Sequence, residues 1–273
     1  MTLSEIRKIV STDPETKNLR IDDADLLKVY QYLSTRDEPD QDGYEAVLLT
    51  EPYIEVVYRP SKERSDARKR ARIRENLKFY DTEVYIQDAS IEGFECLNEE
   101  RKRVKELAVQ FLKEYRPDRF SRGLYVYGRY ASGKSYLISA IAQELAKRNV
   151  SVLFCYMPDL VRSIKQGMNE GNLEERVNQL KRADVLMLDD IGGENMSPWF
   201  RDEVLVPVMQ YRLSASLPVF MTSNYDYIKL VDAMTAVNDE ANRVKAARLV
   251  QRLRKLMVYV KLSAQEYPDS DLK

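Results

Sequence analysis

The chain contains no histidine. That absence excludes imidazole-ligated metals, Ser-His-Asp triads and histidine acid–base chemistry. Cysteine is nearly missing too: Cys96 and Cys155 lie far apart and form no CxxC pattern. A disulfide framework is not expected, and the reading is a cytoplasmic protein. No apolar run approaches the ~18 residues that a transmembrane helix needs, so no membrane association is expected. The opening residues, MTLSEIRKIVSTD, lack the apolar core of a signal peptide. Excess charge of one sign is lacking as well. Lys and Arg number 43 against 44 Asp and Glu, so no overall basic field advertises nucleic acid, although a local basic stretch can still bind it. No repeat of fixed period is present.

What is present is enough to fold. Apolar residues make up 44% of 273, which supports a packed core in one large domain or two ordinary ones. The texture changes along the chain. Residues 1–60 carry two helical patterns, Leu3/Ile6/Ile9-Val10 and Leu26-Leu27/Tyr30/Leu33, then a polar gap, TRDEPDQDG, then two strand-like runs, EAVLLT and YIEVVYR. A hairpin around Glu51-Pro52 would make this a small mixed domain. Residues 61–90 form a charged connector. SKERSDARKRARIRENLK has eight Lys/Arg against three Asp/Glu and no glycine, and it reads as an exposed helix. It is either a solvated linker or an electrostatic contact for nucleic acid or an acidic partner.

From residue 91 to 265, strands alternate with helices, and 266–273 reads as a tail. LYVY (124–127), SVLFCY (151–156), VLMLD (185–189), PVFMTSN (218–224) and MVYVKL (257–262) are continuous apolar runs. The helical patterns between them run over 134–148, 158–168, 173–181 and 239–256, with another starting after Ser197-Pro198. Such alternation predicts an α/β domain with a five-stranded parallel sheet, covered on both faces.

GRYASGKS (128–135) matches GxxxxGK[ST] between a predicted strand and a predicted helix. Gly128 and Gly133 let the backbone curl, so that N–H groups across Arg129, Tyr130, Ala131 and Ser132 face phosphate oxygens. Lys134 places a fixed charge against β- and γ-phosphates, and the Ser135 hydroxyl is a magnesium ligand. The following helix adds its N-terminal dipole. In VLMLDDI, Asp189 and Asp190 emerge at the carboxyl end of a buried strand, where ligands collect in open α/β sheets. Asp189 is expected to hold Mg2+ and Asp190 to orient the attacking water, since phosphoryl transfer depends on positioning. Asn224 ends another apolar strand. Either its amide reaches the γ-phosphate or the lytic water, or it serves as a turn or cap residue before Asp226. The helix NDEANRVKAARLVQRLRKL carries Arg243, Arg248, Arg252 and Arg254. Each is either solvated or, at a subunit edge, able to enter a neighbouring copy's ATP site.

In this order, GLYVYGRYASGKSYLISAIAQELA, VLMLDDIGGENMSPWFRDEV, PVFMTSNY and VKAARLVQRL resemble the AAA+ ATPases of the bacterial helicase-loader group over about residues 88–263. The likeness is to DnaI-type loaders, with DnaC-type loaders and IstB transposition ATPases further off. The P-loop is shared by many ATPases, whereas LDDIG followed by WxRDEV is far more specific. The resemblance implies an AAA+ P-loop domain using ATP and Mg2+, and self-association through that domain. It also implies a replicative hexameric DNA helicase gripped by the N-terminal domain, and single-stranded DNA as a further partner. By motif, Lys134 and Ser135 match Walker A, Asp189 and Asp190 Walker B, and Asn224 sensor 1. Arg252 best matches the arginine finger, with Arg248 its neighbour. One departure stands out: DnaI-type loaders commonly carry a cysteine-based zinc site near the N-terminus, but residues 1–60 hold neither cysteine nor histidine.

Three functions compete: an ATP-switched helicase loader, an IstB-like transposition ATPase acting on a transposase and DNA, and a small-molecule P-loop kinase. The kinase would need a phosphate-acceptor motif, and none is found. Arg162 and Lys165, at i and i+3 after the second strand, are the expected DNA contacts, set against a solvated helix face.

Overall fold

The N-terminal residues fold as their apolar spacing dictates. In the computed structural model, which describes residues 2–36, 43–51, 53–79, 86–193, 196–235 and 239–263, Leu3–Thr12 form helix α1 and Leu26–Thr35 form α2. A capping box between Thr2 and Glu5 starts α1. Strands β1 (Tyr44–Leu49) and β2 (Glu55–Pro60) pair antiparallel, with Leu49 opposite Glu55. Pro52, expected in their turn, lies outside the described residues, as does most of the expected polar gap. Ile6, Val10, Leu26 and Val29 form a small core of their own, with Leu48 and Ile54 packed against it. The chain divides into two units, Met1–Ala71 and Arg72–Lys273. Helix α3 (Lys62–Asn76) spans that division and has no fully buried side chain among those described.

The larger unit is built on six strands rather than the five expected. They are β3 (Leu77–Phe79), β4 (Gly123–Tyr127), β5 (Val152–Tyr156), β6 (Val185–Asp189), β7 (Val219–Ser223) and β8 (Met257–Lys261), in spatial order β3-β5-β6-β7-β4-β8 and all parallel. The additional strand is β3, three residues inside the stretch expected to be purely a helical connector. Leu-Lys-Phe is too short to show a strand period. It becomes one by pairing Leu77, Lys78 and Phe79 with Val152, Leu153 and Phe154 along the open edge of β5.

Alternation within each strand divides the core in two. Leu124, Val126, Val152, Phe154, Val185, Met187 and Phe220 meet α4 (Glu99–Glu114) and α5 (Lys134–Lys147) on one face. Tyr125, Leu153, Cys155, Leu186, Leu188, Val219 and Met221 meet the helices of the other face. Those are α6 (Met157–Glu170), α7 (Leu173–Arg182), α8 (Val206–Ser214), α9 (Tyr227–Met234) and α10 (Glu240–Leu256). The expected start at Ser197-Pro198 is a real cap: Phe200 N–H donates to Ser197 Oγ at 3.2 Å, and a π-helical turn, Phe200–Leu205, leads into α8. Two helices, α4 and α9, were not anticipated. Each has a side-chain cap that marks it in retrospect. Asn98 accepts from Arg101 N–H, and Asp226 accepts from Ile228 and Lys229 N–H. Among the described residues no helix is long and apolar enough to cross a membrane.

Candidate functional site

Strand β4 lies between β7 and β8, and its carboxyl end runs straight into the glycine loop. Gly128 has no alternative there: a Cβ would stand 2.0 Å from the carbonyl oxygen of Leu262 just beyond β8. Ala131 and Gly133 both adopt positive φ, +58° and +90°, which curls the loop. Gly133 caps α5 without any side-chain hydrogen bond, so the helix N-terminus faces the loop with its donors unclaimed by a side chain.

Lys134 is largely buried. Its Nζ donates to Gly128 O at 3.0 Å, Arg129 O at 2.8 Å and Asn224 Oδ1 at 2.9 Å. Burial pulls the ammonium below its usual range, and Asp190 and Asp189 hold against that. Next along, Ser135 Oγ donates to Asp189 Oδ1 at 3.0 Å. Asp189 is 1% exposed, and its Oδ2 is buried with no hydrogen-bond partner among the described residues. Burial pushes this carboxyl up, against the lowering effect of its bonds from Thr222 and Ser135.

Asp190 sits in the left-handed region at φ +60°, which few residues other than glycine adopt and aspartate adopts more readily than most. Its N–H donates to Thr222 Oγ1 at 2.8 Å, and its carboxylate accepts from Asn224 Nδ2 at 3.1 Å. Asn224 therefore bridges Lys134 and Asp190. The alternative role foreseen for it, a cap before α9, is filled by Asp226. The phosphate loop, both aspartates and Asn224 thus converge at the carboxyl ends of β4, β6 and β7.

The arginines of α10 stand apart from this network. Arg252 Nε donates to Gln210 Oε1 of α8 at 3.0 Å, and Arg248 is exposed. Among the described residues no hydrogen bond or ion pair joins either to the loop. Asp239 caps α10, accepting from Ala241 N–H. Arg162 is exposed and paired with Asp159 at 3.2 Å, with Lys165 exposed further along α6.

Two residues at the site were not singled out from sequence. Arg101, buried at the start of α4, donates to Ser132 O at 2.6 Å and to Glu95 O at 2.6 Å, and lies over the Phe94 ring. It props the phosphate loop from behind. Nothing in its charged, helical sequence context distinguishes it. Thr222, by contrast, leaves a signal: with Ser223 it is one of two hydroxyls at the end of an otherwise apolar strand, and buried hydroxyls have partners. The WFRDEV segment has a structural basis. Arg201, fully buried, donates to Met234 O, Asn242 Oδ1 and Asp202, tying the π-helical turn to α9 and α10.

Comparison with known proteins agrees with this geometry. The family model for IstB-like ATP binding proteins matches residues 23–262. The replicative helicase loader DnaI of Bacillus subtilis (strain 168) is 37% identical over 187 residues, which is 67% of this chain and 60% of that protein. The crystal structure of DnaI superposes with a TM-score of 0.63 at 37% identity, covering 71% of this chain and 98% of that one. A putative primosome component from Streptococcus pyogenes serotype M3 superposes with a TM-score of 0.60 at 29% identity, covering 72% and 97%. The chain thus spans less than two thirds of the curated DnaI protein. With its phosphate loop, paired strand-end aspartates and a family match over most of its length, the chain belongs to the IstB-like ATP-binding proteins and is a homologue of the DnaI helicase loaders.

Proposed function

We propose that this protein is an ATP-dependent loader of a replicative DNA helicase, binding ATP with Mg2+ and single-stranded DNA. The observation that carries the nucleotide half is the Ser135–Asp189 pair. A hydroxyl and a carboxylate meet at 3.0 Å beside the phosphate loop, and the second carboxylate oxygen is buried without a partner among the described residues. Hard oxygen donors of this kind suit Mg2+. Ser135 and Asp189 would hold the ion, which when bound supplies neutralising charge to the β- and γ-phosphates. The loop N–H groups and Lys134 bind the phosphates, exchanging the carbonyls that Lys134 now touches for phosphate oxygens. Asp190, held by Asn224, orients the attacking water. Asn224 and Lys134 meet where γ-phosphate charge develops.

The loader half is supported by the likeness to DnaI, and the N-terminal unit, which has its own core, would be the part that grips the helicase. ATP-dependent self-association would bring Arg252 or Arg248 of one copy to the nucleotide of the next. Arg162 and Lys165 would meet the DNA backbone. Raising salt should then weaken DNA binding steeply. The second reading, a transposition ATPase acting on a transposase, is favoured by the family model alone. The deciding experiment is capture of the host's replicative helicase by the tagged full chain, with and without ATP. ATP-sensitive retention of the helicase supports the loader. Retention of a transposase in its place would move the assignment to the transposition class.

A further inference from the structure

The two aspartates of β6 share one neighbour. Thr222, wholly buried in β7, donates through Oγ1 to Asp189 Oδ1 and accepts at the same atom from Asp190 N–H at 2.8 Å. Its own carbonyl accepts from Ile191 N–H at 2.9 Å. Strands β6 and β7 run in register from Leu186↔Val219 to Leu188↔Met221, so the next residues along each strand, Asp189 and Thr222, come side by side.

This contact has different consequences for the two aspartates. Asp189 Oδ1 receives two hydroxyl donors, Ser135 and Thr222, while Oδ2 receives none among the described residues. A carboxylate pinned through one oxygen by two donors cannot turn about its terminal bond, so the other oxygen keeps its lone pairs for a cation. Asp190 is different: its backbone is the part that is held. A non-glycine residue at φ +60° persists only where its surroundings fix it. Here the Thr222 hydroxyl takes its N–H, Gly193 N–H donates to its carbonyl at 3.3 Å, and Asn224 takes its carboxylate.

We propose that Thr222 is a positioning residue of the nucleotide site. Its hydroxyl selects the Asp189 oxygen left for a hard divalent cation, and it holds the Asp190 main chain in the turn that carries its carboxylate to Asn224. The proposal rests on the ATP–Mg2+ reading given above. A residue that merely fills the strand needs its shape and methyl group, not its hydroxyl, and valine supplies that shape.

The test compares wild type, Thr222→Val and Thr222→Ser by titration with fluorescently labelled ADP, once with Mg2+ and once in EDTA, alongside thermal melting without nucleotide. Outer partners of metal-ligating groups typically change metal affinity by about 10–100-fold. Thr222→Val is therefore expected to lose roughly tenfold or more of the Mg2+-dependent gain in affinity, while its affinity in EDTA stays at the wild-type level. Thr222→Ser, which keeps the hydroxyl, is expected to retain the gain. Should the valine variant not fold, Thr222→Ser against Thr222→Ala isolates the same hydroxyl. A hydroxyl-free variant that folds and keeps the full Mg2+-dependent gain overturns the proposal. So does an equal loss in serine and its hydroxyl-free counterpart, which would assign Thr222 to packing. A wild-type protein with no Mg2+-dependent nucleotide binding overturns the ATP reading itself, a distinct result visible before any variant is made.

Discussion

The side-chain amide of Asn224 donates to the carboxylate of Asp190 at 3.1 Å, across the ends of two adjacent parallel strands. The other end of the same amide accepts from Lys134 Nζ, which fixes which way it faces. Asn224→Ala is therefore expected to leave nucleotide affinity near wild type, because the loop N–H groups remain. Hydrolysis should slow by on the order of 10²-fold, the usual cost of one lost donor at a developing charge. Steady-state ATP hydrolysis measured beside labelled-ADP binding checks this. Asp190→Asn should fall in the same class, with binding kept and turnover slowed.

Lys134→Ala removes a charge-assisted contact to phosphate. The expected loss is about 1.5–3 kcal/mol, or roughly 10–150-fold in ATP affinity. Isothermal titration with ATP reads it directly, and equal affinities in the two proteins would refute the assignment.

Asp189 carries a built-in conflict between stability and function. Burial raises its carboxyl pKa above the ordinary 3.8. A raised folded pKa means the fold favours the protonated form. Its favourable contribution is complete below the unfolded pKa and is lost as pH climbs through the folded one. At neutral pH the ionised carboxylate is then a cost to the nucleotide-free protein. Asp189→Asn is expected to raise the melting temperature at pH 7, with the gain shrinking as pH falls toward the unfolded carboxyl's range. The same variant should lose Mg2+-dependent nucleotide binding. Melting curves across pH without nucleotide separate the two effects.

Arg252 should act on ATP held by a neighbouring copy. Within its own chain its bonding partner is the neutral Gln210 rather than a carboxylate, a contact that is readily exchanged for phosphate oxygens. Lys134→Ala lacks a working site but can lend its arginine, and Arg252→Ala has the converse defect. Each alone should hydrolyse little ATP, and mixing them at assembling concentrations should restore part of the activity. If verified mixed assemblies are no more active than the sum of the two, the arginine does not act in trans.

Arg212 is a stability prediction away from the chemistry. Fully buried, it donates to Leu180 O, Lys181 O, Ala183 O, Asp184 O and Pro218 O. It satisfies the carbonyl end of α7 and the entry to β7 together. Arg212→Leu removes this shared donor from the carbonyls of Leu180, Lys181, Ala183 and Asp184, while Pro218 O keeps its bond from Leu186 N–H, at an expected cost on the order of 3 kcal/mol in urea unfolding.

Much of the architecture follows from local pattern. The apolar runs at 124–127 and 185–188 are legible as strands because parallel strands buried on both faces are apolar at every position. Helix α5 starts at Lys134 because the glycine loop ends there. The GxxxxGK[ST] loop and the aspartate pair stand out in the sequence because each is a contiguous run of residues at the end of an apolar strand. Helices α4 and α9 carry a local signal as well, in the caps Asn98 and Asp226 and in the helical spacing of Val104, Ala108 and Phe111 and of Leu230 and Met234.

What the sequence could not determine depends on contacts between residues distant along the chain. Strand β3 exists because β5 offers an open edge. Asn224 bridges Lys134 and Asp190 rather than capping a helix because strand order places β7 between β6 and β4. Arg101 reaches Ser132 across 31 positions, and Thr222 reaches Asp189 across 33. A periodic pattern records which face of an element is buried, and a motif records a local loop. Neither records which distant hydroxyl or guanidinium the packed sheet brings against them, and the orientation of Asp189 and Asp190 is set by tertiary contacts of that kind.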